Sequence, residues 1–507
     1  MKTSILTRAI VLILCVAMCA SAFIACTEDN GDSATTTTNS QGNKNPDATT
    51  APVGEEVYPS PVPSDLNYNN KQFKILYWED VEHQEFFFED QTGDAVGDAI
   101  IERNTAVEET LGVELVWEPQ AGNADNNSAW NNRMQIIKED NSQNFIGFAG
   151  YSLSVAAAAV NGHCYNLLND SAEYFNFEDT TYWPTRLLTQ ATFGDNLYFC
   201  SGDISANMLY MMYVCFVNND ILEDHQLQNP QELVADGNWT YTRFINMCDG
   251  IYEDYDGDQE KSDGDIFGYM GSGIHNDVWF YGTGAVIAEY NEDGKLAMSS
   301  SMSSASVIDT FERIHNLFYN TNDGIYTSSV KHQKAFAEGR LLFMMDRCRV
   351  SFKVIASGNY DVSYSILPCP KYNAKQESYV TVVGNPFTLY GMFANVSDED
   401  ASFGSAVLEY YAYESYLKVT PAVFEISLKT RYSQDDISSH MYDTVRANIT
   451  FDIGRIFSSN VLKNAQGQTL LRAPFQSAVT PNWSQRVQSV GSIIDLNCSA
   501  LQETLDP

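Results

Sequence analysis

Residues 71–119 constrain the fold more than any other stretch. "KQFKILYW" (71–78) reads as a strand. "DAVGDAIIERNTAVEETLG" (94–112) sets Val96, Ile100, Val107 and Leu111 on one helical face and closes on Gly112, a helix-capping choice. "VELVWEP" (113–119) alternates Val113, Leu115 and Trp117 as a strand does. Strand, helix, strand at this spacing is a βαβ unit, and such units join parallel strands. The fold class is therefore α/β. A polar helix around 128–140 and the apolar "NFIGFAG" (144–150) continue the alternation, and the chain carries no internal repeat.

The N-terminus is an export signal. Lys2 and Arg8 precede an apolar run from Ala9 to Ala25, which is at the short limit of what spans a bilayer. The run stops at Cys26, and acidic residues follow at once in "AFIACTEDNGDS" (22–33). Phe23-Ile24-Ala25-Cys26 resembles the lipobox of bacterial lipoproteins, in which the cysteine becomes the first mature residue and carries lipid. The resemblance implies a signal peptide over 1–25 and lipidation at Cys26, with the chain held at the outer face of the cytoplasmic membrane. Residues 26–70 are rich in Thr, Ser, Asn and Pro and poor in large apolar side chains, which predicts a disordered tether.

Composition narrows the function. The chain of 507 residues has 44% hydrophobic and 12% aromatic content, enough for large cores. Its formal net charge of −37 argues against nucleic acid, whose recognition needs Lys and Arg to neutralise phosphates. The cysteines beyond the leader, Cys164 to Cys498, are odd in number, widely spaced and without a C-x-x-C pair. That pattern is no disulfide framework or zinc site, and it predicts small buried hydrophobes.

Four segments in order carry a family resemblance. "GDNLYFCSGDISANMLYMMYVCFVNNDIL" (194–222) resembles the crossover of family-1 extracellular solute-binding proteins, the receptors of ABC importers. "GNWTYTRFINMCDGI" (237–251) is similar to that family's Trp-Thr helix start. "KHQKAFAEGRLLFMM" (331–345) resembles its helix-to-strand motif, with Phe336, Gly339 and Arg340 in place. "YDVSYSILPCPKYNAKQESYVTVVGNPFTL" (360–389) resembles the segment that returns to the first lobe. The resemblance implies a two-lobed periplasmic-binding-protein-like (type II) α/β fold with a ligand cleft between discontinuous lobes. Lobe I would take 71–205 and 366–418, and lobe II 206–365 and 419–507. Crossings are expected near 203–207, 366–367 and 417–420. The implied role is monomeric capture of a polar solute, foremost an oligosaccharide, for the membrane subunits of an ABC permease.

The alternatives are a secreted glycan-active enzyme or a cell-surface ligand sensor. Against the enzyme, the chain has no H-E-x-x-H, G-x-S-x-G or Walker loop, and its 7 histidines show no metal-ligand spacing. The expectation is no catalysis and no required cofactor. "DYDGDQEKSDGD" (254–265) sets Asp254, Asp256 and Asp258 at alternating positions, with Asp263 and Asp265 following. It reads equally as a solvated acidic turn or as a structural calcium loop.

Ligands of open α/β sheets bind beyond the carboxyl ends of strands, and sugar rings pack on aromatic faces. The family pattern then places Trp78, with Glu79 and Asp80, in the cleft after the first strand. It adds Tyr151 past "NFIGFAG", Asp203 and Asn207 at the first crossing, and Trp279 and Tyr281 in "HNDVWFYGTG" (275–284). Asp346 and Arg347 follow "LLFMM", and Asn385 comes from the returning segment. Arg349 stands where maltose-binding members carry a stacking Trp.

Overall fold

The βαβ unit forms as its pattern predicts. Asp94 accepts a hydrogen bond from the Gly97 backbone and starts the helix Ala95–Leu111; Gly112, at φ 58°, ends it in the left-handed conformation. Val96, Ile100, Val107 and Leu111 are buried, each contributing about 1.5–3 kcal/mol by leaving water. Arg103 lies on the same face and is also buried. Its guanidinium donates to the carbonyls of Glu85 and Phe86 and sits 4.0 Å from the Tyr411 ring centroid. That cation–π contact ties this helix to the helix Asp398–Glu414.

This computed structural model describes residues 58–91, 93–356, 358, 360–424 and 436–506. The leader and Cys26 lie outside the described residues. The strands in chain order are β1 (Lys71–Trp78), β2 (Val113–Gln120), β3 (Gly147–Tyr151), β4 (Tyr213–Asn218), β5 (Phe267–Ser272), β6 (Ala288–Tyr290) and β7 (Leu296–Met298). There follow β8 (Gly324–Thr327), β9 (Leu341–Arg347), β10 (Tyr364–Pro368), β11 (Thr381–Val382), β12 (Thr388–Met392) and β13 (Ile449–Thr450). Two sheets dominate, in the orders β12-β3-β1-β2 and β10-β4-β9-β5-β8. In the first, β1 runs parallel to β2 and β3, while β12 returns antiparallel. In the second, β5 runs parallel to β8 and β9, and β4 lies antiparallel between β9 and β10.

The chain leaves the first sheet after Ser201, whose hydroxyl donates to the carbonyl of Thr388, and enters the second at Tyr213. Its return comes later than 366–367. Ile366 and Leu367 are paired with Phe216 and Cys215 inside the second sheet, so the return runs from Pro368 to Thr388. The outgoing and returning segments run side by side through the Met212–Val383 bridge and the Gly384 to Met211 bond. At the third crossing, Thr420 donates to Asp203 at 3.1 Å, joining it to the first.

The folded part also begins earlier than residue 71. Val62 is buried, Tyr68 bonds the Leu111 carbonyl, and the Tyr68 ring packs edge-on at 4.6 Å against Phe403. These apolar side chains offset the ordering of a segment whose neighbours are polar. Cys164, Cys200, Cys215, Cys248, Cys348, Cys369 and Cys498 are unpaired and buried. Among the described residues no helix is long and apolar enough to cross a membrane.

Candidate functional site

The carboxyl ends of parallel strands from both sheets converge on one region. Trp78 ends β1 and Tyr151 ends β3 from the first sheet; β5 leads into His275–Asp277, and Arg347 ends β9, from the second. The two sheets meet directly through Glu82, beyond β1, and Arg349, beyond β9, at 2.6 Å. Gly384, on the return segment, passes so close to Arg347 that a Cβ there would lie 2.9 Å from its Cδ. A larger residue there would force the Arg347 side chain to shift.

Tyr151 is the predicted residue this region holds most directly. It is buried, and burial pushes its phenol up to about 12, while Arg455, Arg347 and Arg472 pull it down. Asn385, half-buried beside it, accepts a bond from the Ser152 hydroxyl at 2.6 Å through its carbonyl.

On the second sheet's side, Asp277 binds Arg455 at 3.0 Å and Arg472 at 2.8 Å. Burial pushes its carboxyl up, but Arg472 and Arg455 outweigh that and hold it below the usual range. Asp346 is fully buried and accepts from His332 Nε2 at 2.8 Å and Gln333 at 2.7 Å, with His275 Nδ1 at 3.1 Å. Against the cost of burial, His275 and His332 keep its carboxyl well below its ordinary value. The guanidiniums of Arg347, Arg349, Arg455 and Arg472 face the carboxylates of Glu82, Asp277, Asp346 and Asp452, so the cluster pairs its buried charges.

Several predicted residues serve the frame instead. Trp279 is fully buried, with Tyr241, Phe244 and Tyr269 packed around it at ring distances of 5.2, 5.1 and 5.5 Å. It is a core residue of the second lobe. Tyr281 is likewise buried and donates to Asp452 at 2.9 Å. Trp78 turns inward, its indole donating to Thr388 at 3.0 Å and its ring 5.5 Å from Tyr151; it backs the site without facing it. Asp80 accepts from the backbones of Gly122 and Asn123 and the Asn126 amide, pinning the loop after β2. Glu79 is exposed, and its backbone pairs with Gln120.

Asp203 and Asn207 belong to the crossings. Asp203 holds Arg446 through both oxygens at 2.9 Å. Asn207 donates its side chain to the His83 carbonyl and its backbone to Glu85. Glu85, which the sequence reading missed, is fully buried and also receives the hydroxyls of Ser205 and Thr388. Burial pushes its carboxyl up. It ties the loop after β1 to the first crossing and to β12. A cavity of about 580 Å³ adjoins this crossing, lined by Tyr182, Trp183, Asp203, Tyr416 and Arg446. The polar tips of Tyr182 and Trp183 are turned away to Glu409, at 2.6 and 3.0 Å, which leaves them little to offer a polar ligand there.

Two clusters have metal-ligand chemistry. In the acidic loop, oxygens of Asp254, Asp256 and Asp265 lie within 4.8 Å of one another. Asp258 and Asp263 are not in that group; Asp263 pairs with Lys331 and Asp258 caps Glu260. His275, His332 and Asp346 also converge within 4.8 Å, although their sequence spacing suggests no site. That donor set suits a transition metal, and the same atoms also satisfy one another.

No family model and no curated protein matches the chain by sequence. Solved structures do. A cyclo/maltodextrin-binding protein complexed with maltotetraose aligns at a TM-score of 0.54 and 10% identity, covering 86% of this chain and 97% of that one. The maltose-binding periplasmic protein MalE of Listeria monocytogenes, in complex with maltose, aligns at 0.52 and 10%, covering 85% and 99%. A sugar transporter from Rhizobium etli in an open conformation aligns at 0.51 and 12%, covering 85% and 99%. The chain therefore has the two-lobed α/β fold of the maltodextrin-binding type of ABC substrate-binding protein.

Proposed function

We propose that this chain is a lipid-anchored extracellular receptor that captures a polar solute, an oligosaccharide, and delivers it to an ABC permease. The observation that carries the reading is the meeting of strand ends from both sheets around Tyr151, Arg347 and Asn385, with Glu82 and Arg349 bridging the two sides. A solute held there touches both lobes and binds the closed arrangement better than the open one, so it shifts that equilibrium. Two solved structures of the same fold hold maltotetraose and maltose, which supports a sugar as the solute. An enzymatic reading fares worse, because Glu82, Asp277 and Asp346 are each engaged by arginine or histidine and none is a free acid.

Thermal shift over an oligosaccharide panel tests the reading, followed by small-angle scattering with the binder found. The expected result is a higher melting temperature and a smaller radius of gyration; turnover of the sugar would point to an enzyme instead. Replacing Cys26 with Ala should release the protein or leave its leader uncleaved, and unchanged membrane retention with normal processing would refute the anchor. For the loop at Asp254, Asp256 and Asp265 we propose a structural calcium ion. Excess calcium should then raise the melting temperature relative to chelator.

A further inference from the structure

We infer that His275, His332 and Asp346 bind a zinc ion that fastens three elements of the second lobe together. The inference is independent of the solute. His275 lies in the turn Gly273–Asn276 that follows β5, and His332 in the helix Lys331–Ala337. Asp346 lies near the end of β9, the parallel neighbour of β5. All three side chains are at most 1% exposed. One donor atom from each falls within 4.8 Å of the others. His332 Nε2 is 2.8 Å from Asp346 Oδ2, and His275 Nδ1 is 3.1 Å from Oδ1. A tetrahedral zinc with bonds of about 2.0–2.2 Å sets its ligand atoms about 3.3 Å apart, so the ion's place is among these atoms and needs no separate cavity.

Hydrogen bonding accounts for only part of this cluster. A neutral imidazole has one donor and one acceptor nitrogen, and buried polar atoms are ordinarily paired. His332 is explained by its bond to Asp346. His275 is not: both of its nitrogens are buried without a hydrogen-bond partner, Nδ1 lying near Oδ1 but out of line with it. Its ring centroid is 4.6 Å from that of His332. A shared cation explains a second imidazole held there. His275 Nδ1 and His332 Nε2 turn lone pairs to the ion, and each ring keeps its proton on the other nitrogen. Asp346 gives an oxygen and retains its remaining partners, since a carboxylate has about four lone-pair sites. Gln333 holds Oδ2 at 2.7 Å, the Arg347 backbone holds Oδ1 at 2.7 Å, and Arg347 Nε stays 3.5 Å away. Such outer contacts orient a metal-bound carboxylate. Imidazole ligands select a transition metal over calcium, which separates this site from the all-oxygen loop at Asp254, Asp256 and Asp265. Three protein ligands leave the fourth place for water.

The test uses tag-free protein stripped of metal by chelator, with zinc and cobalt as the probes. Zinc should bind at about one ion per chain and raise the melting temperature by several degrees. Cobalt should give the visible absorption of a four-coordinate site. His275→Gln and His332→Gln should each weaken zinc by about tenfold or more, whereas Asp254→Asn, in the acidic loop, should leave zinc binding unchanged. Should the glutamine variants fail to fold, His332→Cys decides, because a thiolate is also a zinc ligand: it should still take cobalt and add a thiolate-to-cobalt band. A parent that binds no zinc, glutamine variants that bind it as tightly as the parent, or a His332→Cys protein without the thiolate band would each overturn the inference.

Discussion

Trp78 and Tyr151 end two strands of the first sheet, and Trp279 and Tyr281 lie in the short helix that follows β5, yet the structure uses the two pairs differently. In the first lobe Tyr151 reaches the strand ends where charges of the other lobe act on it, and Trp78 stands behind it on Thr388. In the second lobe both aromatics sink into the core, one among three rings and the other on Asp452. The second lobe instead brings buried, ion-paired guanidiniums up to Tyr151. The lesson is that an aromatic after a strand faces solvent only if no helix covers it. Residues 277–281 are themselves helical and pack on the element carrying Tyr241 and Phe244.

The largest effect that would break this contrast is at the anchor of the second lobe's cations. Asp277→Asn leaves Arg455 and Arg472 buried without their carboxylate and should cost about 3–5 kcal/mol in denaturant unfolding. A change below about 1 kcal/mol would mean the cluster is solvated, by the measure of surface pairs. Trp279→Ala should cost a similar amount, about 3–5 kcal/mol, while the affinity for a ligand found by the panel stays unchanged. A matching loss of affinity would return Trp279 to the cleft.

Acid should expose the same cluster. Asp346 is held well below its ordinary value by His275 and His332 despite burial, and Asp277 below its own by its arginines. A depressed folded value contributes stability above the unfolded value of about 4, and that stability is lost as pH falls toward the folded one. Burial also holds His275 below its ordinary value, so unfolding free energy should begin to decline below about pH 6.5 and fall further below about pH 4, and Asp346→Asn should flatten the lower part of that decline. An equal slope in the variant would remove Asp346 from the account. The smallest effect belongs to the first lobe: Trp78→Phe loses one buried hydrogen bond to Thr388 and should cost about 0.5–1.5 kcal/mol from that bond. If it also weakened ligand binding strongly, Trp78 would be a contact residue and the two aromatic pairs more alike than the structure makes them.

Local pattern alone determined the α/β class, the βαβ start, the caps at Asp94 and Gly112 and the buried face of Val96, Ile100, Val107 and Leu111. These rest on periods of two and 3.6 residues and on backbone preferences that act between near neighbours. The family resemblance, not local pattern, singled out Asp346 and Arg347 after "LLFMM", and they do close a strand. Tertiary structure decided the rest. His275 and His332 reach Asp346 from separate elements, Arg455 and Arg472 reach Asp277 from nearly two hundred residues away, and Glu85 closes on Ser205 and Thr388. Charges attract through space whatever their separation along the chain, and burial is set by what packs above a residue. Neither is written in the spacing of the residues themselves.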